Sequence, residues 1–233
     1  MRIVLLGATG LVGHHLLLQL LTSDYYSHLD NSIMVLGRNK PSVPDALHNA
    51  LNHQIDFIET DLVDKEETAR LISNTQSNLH SDADILICCL GTTIKQAGSR
   101  QAFAHVDYDL VLSSAKAAYA SGIKRMMFIS AINAQSNSQL FYSRTKGQVE
   151  QALINLGFEQ LSIIKPSLLI GQRKNRRMAE SLSAPIMKLL NPLLRGRFKK
   201  YRAVEGEVVA ECMIKQLKNL KQGVLEVYPT DYN

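Results

Sequence analysis

The sequence is poor in cysteine and has no long apolar run, and each scarcity excludes a class of protein. Three cysteines among 233 residues, two of them adjacent (Cys88, Cys89) and one alone in a helical pattern (Cys212), cannot build a disulfide framework. Nor do they have the paired spacing of a zinc site, so no metal is expected. No apolar stretch is long enough to cross a bilayer. The opening MRIVLLGATGLVG is apolar with one arginine, but glycines interrupt it and no cleavage-like site follows, so it reads as strand and turn. A cytoplasmic protein in a reducing compartment is the expectation. Internal repeats, low-complexity segments and interdomain linkers are also lacking, so residues 1–233 are expected to form one domain. What remains, 45% hydrophobic and 20% charged residues, is an ordinary globular balance in a chain able to bury a sizeable core.

The charge is uneven. The net +5 is concentrated between Arg173 and Arg202, where ten Lys or Arg residues face one acid, Glu180. Few aromatics and no recognition motif accompany this strip, which argues against nucleic acid. Its leucines mixed with Lys188, Arg195, Arg197, Lys199 and Lys200 also suit a membrane-surface helix, but Pro185 and Pro192 interrupt the pattern. The stronger expectation is a variable segment, residues 171–202, that covers a cleft and favours an anionic ligand.

Apolar runs alternate with amphipathic stretches of helical length. Strands are predicted at Arg2–Leu6, Ile33–Leu36, Gln54–Glu59, Asp84–Cys88, Arg125–Ser130 and Leu161–Lys165, with one more at Val224–Tyr228. Helices are predicted at Leu11–Thr22, Lys65–Asn74, Arg100–Ser121, Gln139–Leu156 and Glu205–Leu217. Strands separated by helices make βαβ units, and right-handed crossovers then give an α/β fold with a doubly wound parallel sheet, the Rossmann architecture.

GATGLVG, Gly7 to Gly13, falls between the first strand and the first helix. Gly7 permits a tight turn, Gly10 lets the backbone approach a pyrophosphate, and Gly13 allows close helix–strand packing. With Thr9, Leu11 and Val12 between them, these residues would present helix N-terminal N–H groups to an anion. The spacing, G-x-x-G-x-x-G, departs from the standard G-x-G-x-x-G, but the strand before and the helix after supply the context such a motif requires. At the end of the second strand, where NAD readers place an acid for the ribose 2′-OH, stand Arg38, Asn39 and Lys40. An arginine forks onto a 2′-phosphate and stacks on adenine, so NADP(H) is favoured over NAD(H). Asp61 and Leu62, after the third strand, suit the adenine edge, and Asp61 equally suits a helix cap. Gly91, Thr92 and Thr93, after the fourth strand, are candidate neighbours of cofactor or substrate, while Cys88 and Cys89 before them read as core.

Together GATGLVG, LGRN, DL, CCLGTT (Cys88–Thr93) and YSRTK (Tyr142–Lys146) resemble the short-chain dehydrogenase/reductase superfamily. The run GTT…K…AGS…F…VDYDL from Gly91 to Leu110, YxxxKGxxE at Tyr142, Lys146, Gly147 and Glu150, and KPSLLIGQR (Lys165–Arg173) are similar to its atypical branch. That branch holds Tat-interacting-protein-like oxidoreductases and bacterial relatives labelled sugar-nucleotide epimerases. The likeness runs over nearly the whole chain and is specific for the fold, not for a substrate.

Tyr142 and Lys146 are four residues apart in a helical pattern, hence on one face. A free phenol titrates near ~10, and a neighbouring ammonium favours its ionised form. The resemblance implies that Tyr142 gives a proton to a small carbonyl substrate while Lys146 also holds the nicotinamide ribose. It also implies a serine at the end of the fifth strand on the substrate oxygen, and places Pro166 and Ser167 beside the nicotinamide. The family uses the second of two serines; this chain has Ser130 followed by Ala131. Ser130 is therefore the candidate third catalytic residue, with Asn133, Ser136 or Ser138 as substitutes. Two functions stay open: an NADPH-dependent carbonyl reductase, or a regulatory NADP(H)-sensing protein without turnover.

Overall fold

A computed structural model describes residues 2–23, 32–47, 55–74, 84–171, 196–219 and 221–232. Its strands are β1 (Arg2–Leu6), β2 (Ser32–Gly37), β3 (Ile55–Glu59), β4 (Asp84–Cys88), β5 (Arg125–Ile129), β6 (Gln160–Ile164), β7 (Leu169–Ile170), β8 (Val204–Glu205) and β9 (Gly223–Val227). Its α-helices are α1 (Leu11–Thr22), α2 (Lys65–Asn74), α3 (Ile94–Ala97), α4 (Arg100–Ala104), α5 (Val111–Ala120), α6 (Phe141–Leu156) and α7 (Gly206–Leu217).

Seven strands form one sheet in the order β3-β2-β1-β4-β5-β6-β9, and every pairing is parallel. The last apolar run, Val224–Tyr228, thus becomes the seventh strand, at the edge beside β6. β7 and β8 make a separate two-stranded parallel pair that the sequence reading did not foresee. Strand interiors such as Ile3, Leu5, Leu6, Leu86, Phe128 and Ile163 are fully buried because both faces of the sheet are covered. Ile3, Leu5 and Ile33 pack with Leu16, Leu17 and Leu20 of α1 and Val209 and Met213 of α7. On the other face Val4, Leu86 and Phe128 pack with Ile72 of α2, Ala118 of α5 and Val149 and Leu153 of α6.

The single helix expected at Arg100–Ser121 is interrupted. A π-helical stretch, His105–Leu110, lies between α4 and α5. Asp107, an acid in an amphipathic pattern, lies in this stretch and is fully buried. The order of strands reverses between β1 and β4, which opens a crevice at their carboxyl ends. GATGLVG, Arg38, Gly91 and the residues after β5 and β6 all follow strand ends at this edge. Most of the basic segment, residues 172–195, lies outside the described residues, so the expected cleft cover falls largely on undescribed chain.

Candidate functional site

The cradle is shaped by three glycines with three different constraints. Gly7 turns with φ +78°, and a Cβ there would lie 2.6 Å from the carbonyl carbon and oxygen of Cys89, where the ends of β1 and β4 meet. A Cβ at Gly13 would lie 2.3 Å from the Gly7 oxygen. At Gly10 the nearest atom is the Gly7 oxygen at 3.2 Å, so packing presses least on this position. Gly10 is the N-cap of α1, no side chain caps that helix, and its first turn holds no acid. Thr9 and Gly10 are exposed, while Val12 is buried in the core and can offer a ligand only its backbone. The helix start therefore presents open N–H groups and a positive dipole end at the crevice, the arrangement that binds anions. Leu11 packs at the start of the C-terminal region: a Cβ on Gly171 or Gly206 would reach its side chain at 2.8 and 2.7 Å.

Arg38 and Asn39 are exposed just past Gly37, with no atom within 4 Å of the place a Gly37 Cβ would take. The adjacent turn is tied to that strand end by Thr60 N–H donating to the Gly37 carbonyl at 3.1 Å. In it Asp61 Oδ1 accepts the Val63 N–H at 2.9 Å. Leu62 has φ 63°, the one positive value on a non-glycine among the described residues. Its N–H donates to Thr60 Oγ1 at 3.1 Å. Such backbone strain is often kept at functional sites. The cap of α2 is Asp64, whose Oδ1 accepts the Glu66 and Glu67 N–H groups at 2.8 and 3.0 Å. Those bonds hold its carboxyl below the usual carboxylate range. Asp61 is thus not the helix cap.

Tyr142 and Lys146 stand one turn apart on α6. Tyr142 is 38% exposed, with its ring 5.4 Å from that of Phe103. Lys146 is buried, and its Nζ lies 2.8 Å from Asp107 Oδ1, donates to the Ile129 carbonyl at 3.3 Å, and sits 5.1 Å from the Phe128 ring centre. Asp107 Oδ2 accepts the Thr92 N–H at 2.8 Å. Burial pulls the Lys146 ammonium down, but Asp107 and then Tyr142 outweigh it, and the net displacement is upward. Asp107 is not among the residues expected from the sequence; its helical spacing, four residues from Phe103 and three from Leu110, is the signal that could have found it. Gly91 is exposed, and a Cβ on it would lie 3.5 Å from Asp107 Oδ1 and 3.7 Å from Lys146 Nζ. Burial pushes the Cys88 thiol up to about 12 and raises Cys89 as well, which leaves both as poor nucleophiles.

Ser130 is not brought to this pair. Its hydroxyl donates to Glu150 Oε1 in a short hydrogen bond. Glu150 Oε2 lies 3.2 Å from Lys165 Nζ, which is 2.7 Å from Glu226 Oε1, and the Tyr228 hydroxyl donates to Glu226 Oε2 at 2.9 Å. Burial raises the Glu150 carboxyl against the pull of Ser130 and Lys165. The cause of the correction is strand geometry: the Ser130 N–H still pairs with Ile164 O at 2.8 Å, so the residue continues the ladder and its side chain enters the core face under α6. Ala131 brings no hydroxyl. Asn133 and Ser136 are exposed in the loop that follows, and Ser138 Oγ accepts the Leu140 N–H at 3.2 Å. Gly147 is explained by the same loop, since its Cβ would lie 2.2 Å from Gln135 C and 2.3 Å from Ser136 N. Past β6, Pro166 O accepts the Ile132 N–H at 2.9 Å, and the Ser167 hydroxyl donates to the Arg202 carbonyl. These bonds gather the loops after β5 and β6 on one side of the crevice.

A family model described as HIM1 matches residues 44–200. The chain belongs to the HIM1 family. A HIM1-type relative, "Protein FMP52, mitochondrial" of Meyerozyma guilliermondii, is 30% identical over 228 residues, 97% of this chain and 90% of its own length. "Protein HTATIP2" of Rattus norvegicus is 32% identical over 181 residues, 78% of this chain and 68% of its own length. Among solved structures, a UDP-glucose 4-epimerase of Thermotoga maritima superposes with TM-score 0.67 at 15% identity, over 97% of this chain and 76% of its own. Bordetella bronchiseptica WbmG, crystallised with NAD, gives TM-score 0.65 at 16% identity, over 98% and 72%. The motif-based resemblance is therefore correct: this is an atypical short-chain dehydrogenase/reductase with the Rossmann fold. The cytoplasmic expectation does not stand, because the relatives from M. guilliermondii, Emericella nidulans and Candida albicans are named as mitochondrial proteins.

Proposed function

We propose that this protein is an NADPH-dependent reductase of a small carbonyl compound, with Tyr142 as proton donor. The observation that carries the reading is the pairing of an exposed Tyr142 with a buried, charged Lys146 one turn further along α6. The cradle fits a dinucleotide pyrophosphate, since Gly10 is the one of its three glycines that internal packing explains least. Backbone N–H groups of Leu11 to Gly13 would hold that pyrophosphate, while the Gly10 N–H is donated to the Gly7 carbonyl at 2.9 Å. Arg38 and Asn39 would meet a 2′-phosphate, Asp61 and Leu62 the adenine edge, and Gly91, Thr92, Pro166 and Ser167 the nicotinamide half. The dinucleotide, when bound, supplies the hydride. Tyr142 holds the proton at its phenolic oxygen and releases it to the carbonyl oxygen of the substrate as negative charge develops there. Lys146 stabilises the charge left on the phenolic oxygen. We infer that the whole chain forms one domain and that the positive charge of its basic segment favours an anionic substrate. The test is stopped-flow oxidation of NADPH against a panel of carbonyl compounds. Tyr142→Phe should cut turnover by about 10²–10⁴-fold while NADPH still binds, and full activity in that variant would refute the assignment.

A second reading is favoured by the commitment of Ser130 to Glu150 together with the absence of a hydroxyl at Ala131. In it the protein binds NADP(H) as a regulatory signal and turns nothing over. Tight NADPH binding with no carbonyl reduced, and turnover gained by Ala131→Ser, would assign the present chain to that role.

A further inference from the structure

Lys146 could have been a lone cation waiting for a ligand, but a carboxylate already holds it. Its side chain is 4% exposed and that of Asp107 is 0%, and the two meet at 2.8 Å. The acid lies in the π stretch at His105–Leu110, and its side chain is turned inward. Among the described residues, no donor but the ammonium reaches Asp107 Oδ1. The other oxygen is spent on the Thr92 N–H, in the loop whose Gly91 lies exposed over the pair. One carboxylate therefore joins three elements of the site: the loop after β4, the π stretch and α6.

We propose that Asp107 is the positioning residue of this site, clamping the Lys146 ammonium at a fixed point and pinning the Gly91–Thr92 loop to it. The inference rests on the reading of Tyr142 and Lys146 as the proton-handling pair, but the clamp itself exists without it. Among the described residues, four polar groups face the ammonium beside the Phe128 ring. Asp107 faces it from the π stretch, Tyr142 from its own helix, Cys88 from the end of β4, and the Ile129 carbonyl from β5. Cys88 is held neutral by burial, so Asp107 is the anion in that set at neutral pH. Burial alone would discharge a lysine in this place. The carboxylate keeps it cationic, and the displacement of Lys146 above the usual lysine range is the consequence. A raised lysine value contributes stability that is complete below the unfolded value and is lost as pH rises through the folded one.

The charge and the clamp can be separated from catalysis. Asp107→Asn keeps an oxygen for the Thr92 N–H and removes the negative charge. The probe is the ¹³Cε signal of Lys146 in lysine-labelled, ligand-free protein, assigned by its loss in Lys146→Met and followed with pH. In the unsubstituted protein the midpoint should lie above the ordinary ~10.4. In Asp107→Asn it should fall by about 1 pH unit or more, because desolvation is then unopposed. With an active carbonyl substrate, the alkaline limb of kcat/KM should move to lower pH in step, and kcat should fall by roughly 10–100-fold as the ammonium loses its fixed place. A Lys146 midpoint at or below the ordinary value in the unsubstituted protein overturns the proposal even if Asp107→Asn does not fold. So does a midpoint that Asp107→Asn leaves unmoved. A lowered midpoint with no carbonyl turnover by either protein supports the clamp and counts against the reductase reading instead.

Discussion

Replacing Gly10 with valine tests whether the cradle is built for a ligand or for itself. A Cβ at Gly10 meets one atom closely, the Gly7 oxygen at 3.2 Å, with the next at 3.9 Å. A shift of a few tenths of an ångström relieves that contact. Losing glycine at an N-cap costs about 1 kcal/mol in addition. A domain with stability of roughly 5–15 kcal/mol stays folded under such a loss. The valine branches would nevertheless stand where a pyrophosphate approaches the first turn of α1, and the expected loss of NADPH affinity is at least ~100-fold, about 2.7 kcal/mol. Gly13→Ala should behave differently. Its Cβ would lie 2.3 Å from the Gly7 oxygen and 2.9 Å from the Gly7 carbonyl carbon, both backbone atoms, so the start of α1 must move away from β1. Overpacking of this kind costs ~1–3 kcal/mol, offset by up to ~1 kcal/mol of helix propensity, and affinity and stability should fall together. Urea unfolding followed by circular dichroism, alongside fluorescence titration with NADPH, reads both quantities. A folded Gly10→Val protein with unchanged affinity would refute the argument and place the cradle elsewhere.

Arg38→Ala should erase a preference for NADPH over NADH of at least ~10-fold, about 1.4 kcal/mol, because no acid competes at the end of β2; equal affinities in the unsubstituted protein would sink the cofactor assignment. Gly147→Ala drives a Cβ to within 2.2 Å of Gln135 C, so it should lower urea stability by ~1–3 kcal/mol, and an unchanged midpoint would show the loop moves freely. Glu226 is held below the usual glutamate value by its bond from Lys165, so its contribution to stability is present above that value and lost as pH falls through the lower folded one. Glu226→Gln should therefore flatten the acid side of a stability–pH curve between about 4.3 and that lower value, and identical slopes would refute the linkage.

The layout of the fold was legible because its periodicities are strong. β1 and β4 match their predicted bounds, as do α1 and α2, and the remaining predicted strands and helices shift by one or two residues, except the helix at Arg100–Ser121, which is divided. The strand ends show why: Ser130 and Lys165 continue the ladder through Ile164 O and Val227 O, yet the regular strands stop one residue earlier. The π stretch was not legible. Arg100 to Ser121 carries a helical pattern throughout, and its residues give no mark of where a wider turn is inserted. The short pair β7 and β8 escaped for another reason, since two-residue strands have no period to detect.

The site was read in part, and the part that failed follows from the same strand alternation that helped elsewhere. Sequence places Ser130 at the tip of β5, and position alone suggests the crevice. Side chains at successive strand positions point to opposite faces, and Ser130 takes the inner one, where Glu150 accepts its hydroxyl. That gives YxxxKGxxE a divided meaning. Tyr142 and Lys146 are the half that can do chemistry. Gly147 is demanded by the backbone of Gln135 and Ser136, and Glu150 by buried Ser130 and Lys165, a run that the half-exposed Glu226 extends to join β5, α6, β6 and β9. A match to that motif is therefore half a statement about packing. Asp107 carries the converse lesson. It matters through a charge and two contacts at 2.8 Å. Its spacing from Phe103, Leu110 and Ser114 puts it on the buried side of the helix, while Asp109, two residues on, is exposed and pairs with His105. Spacing shows which acid turns inward, and only the folded chain shows that Lys146 meets it there.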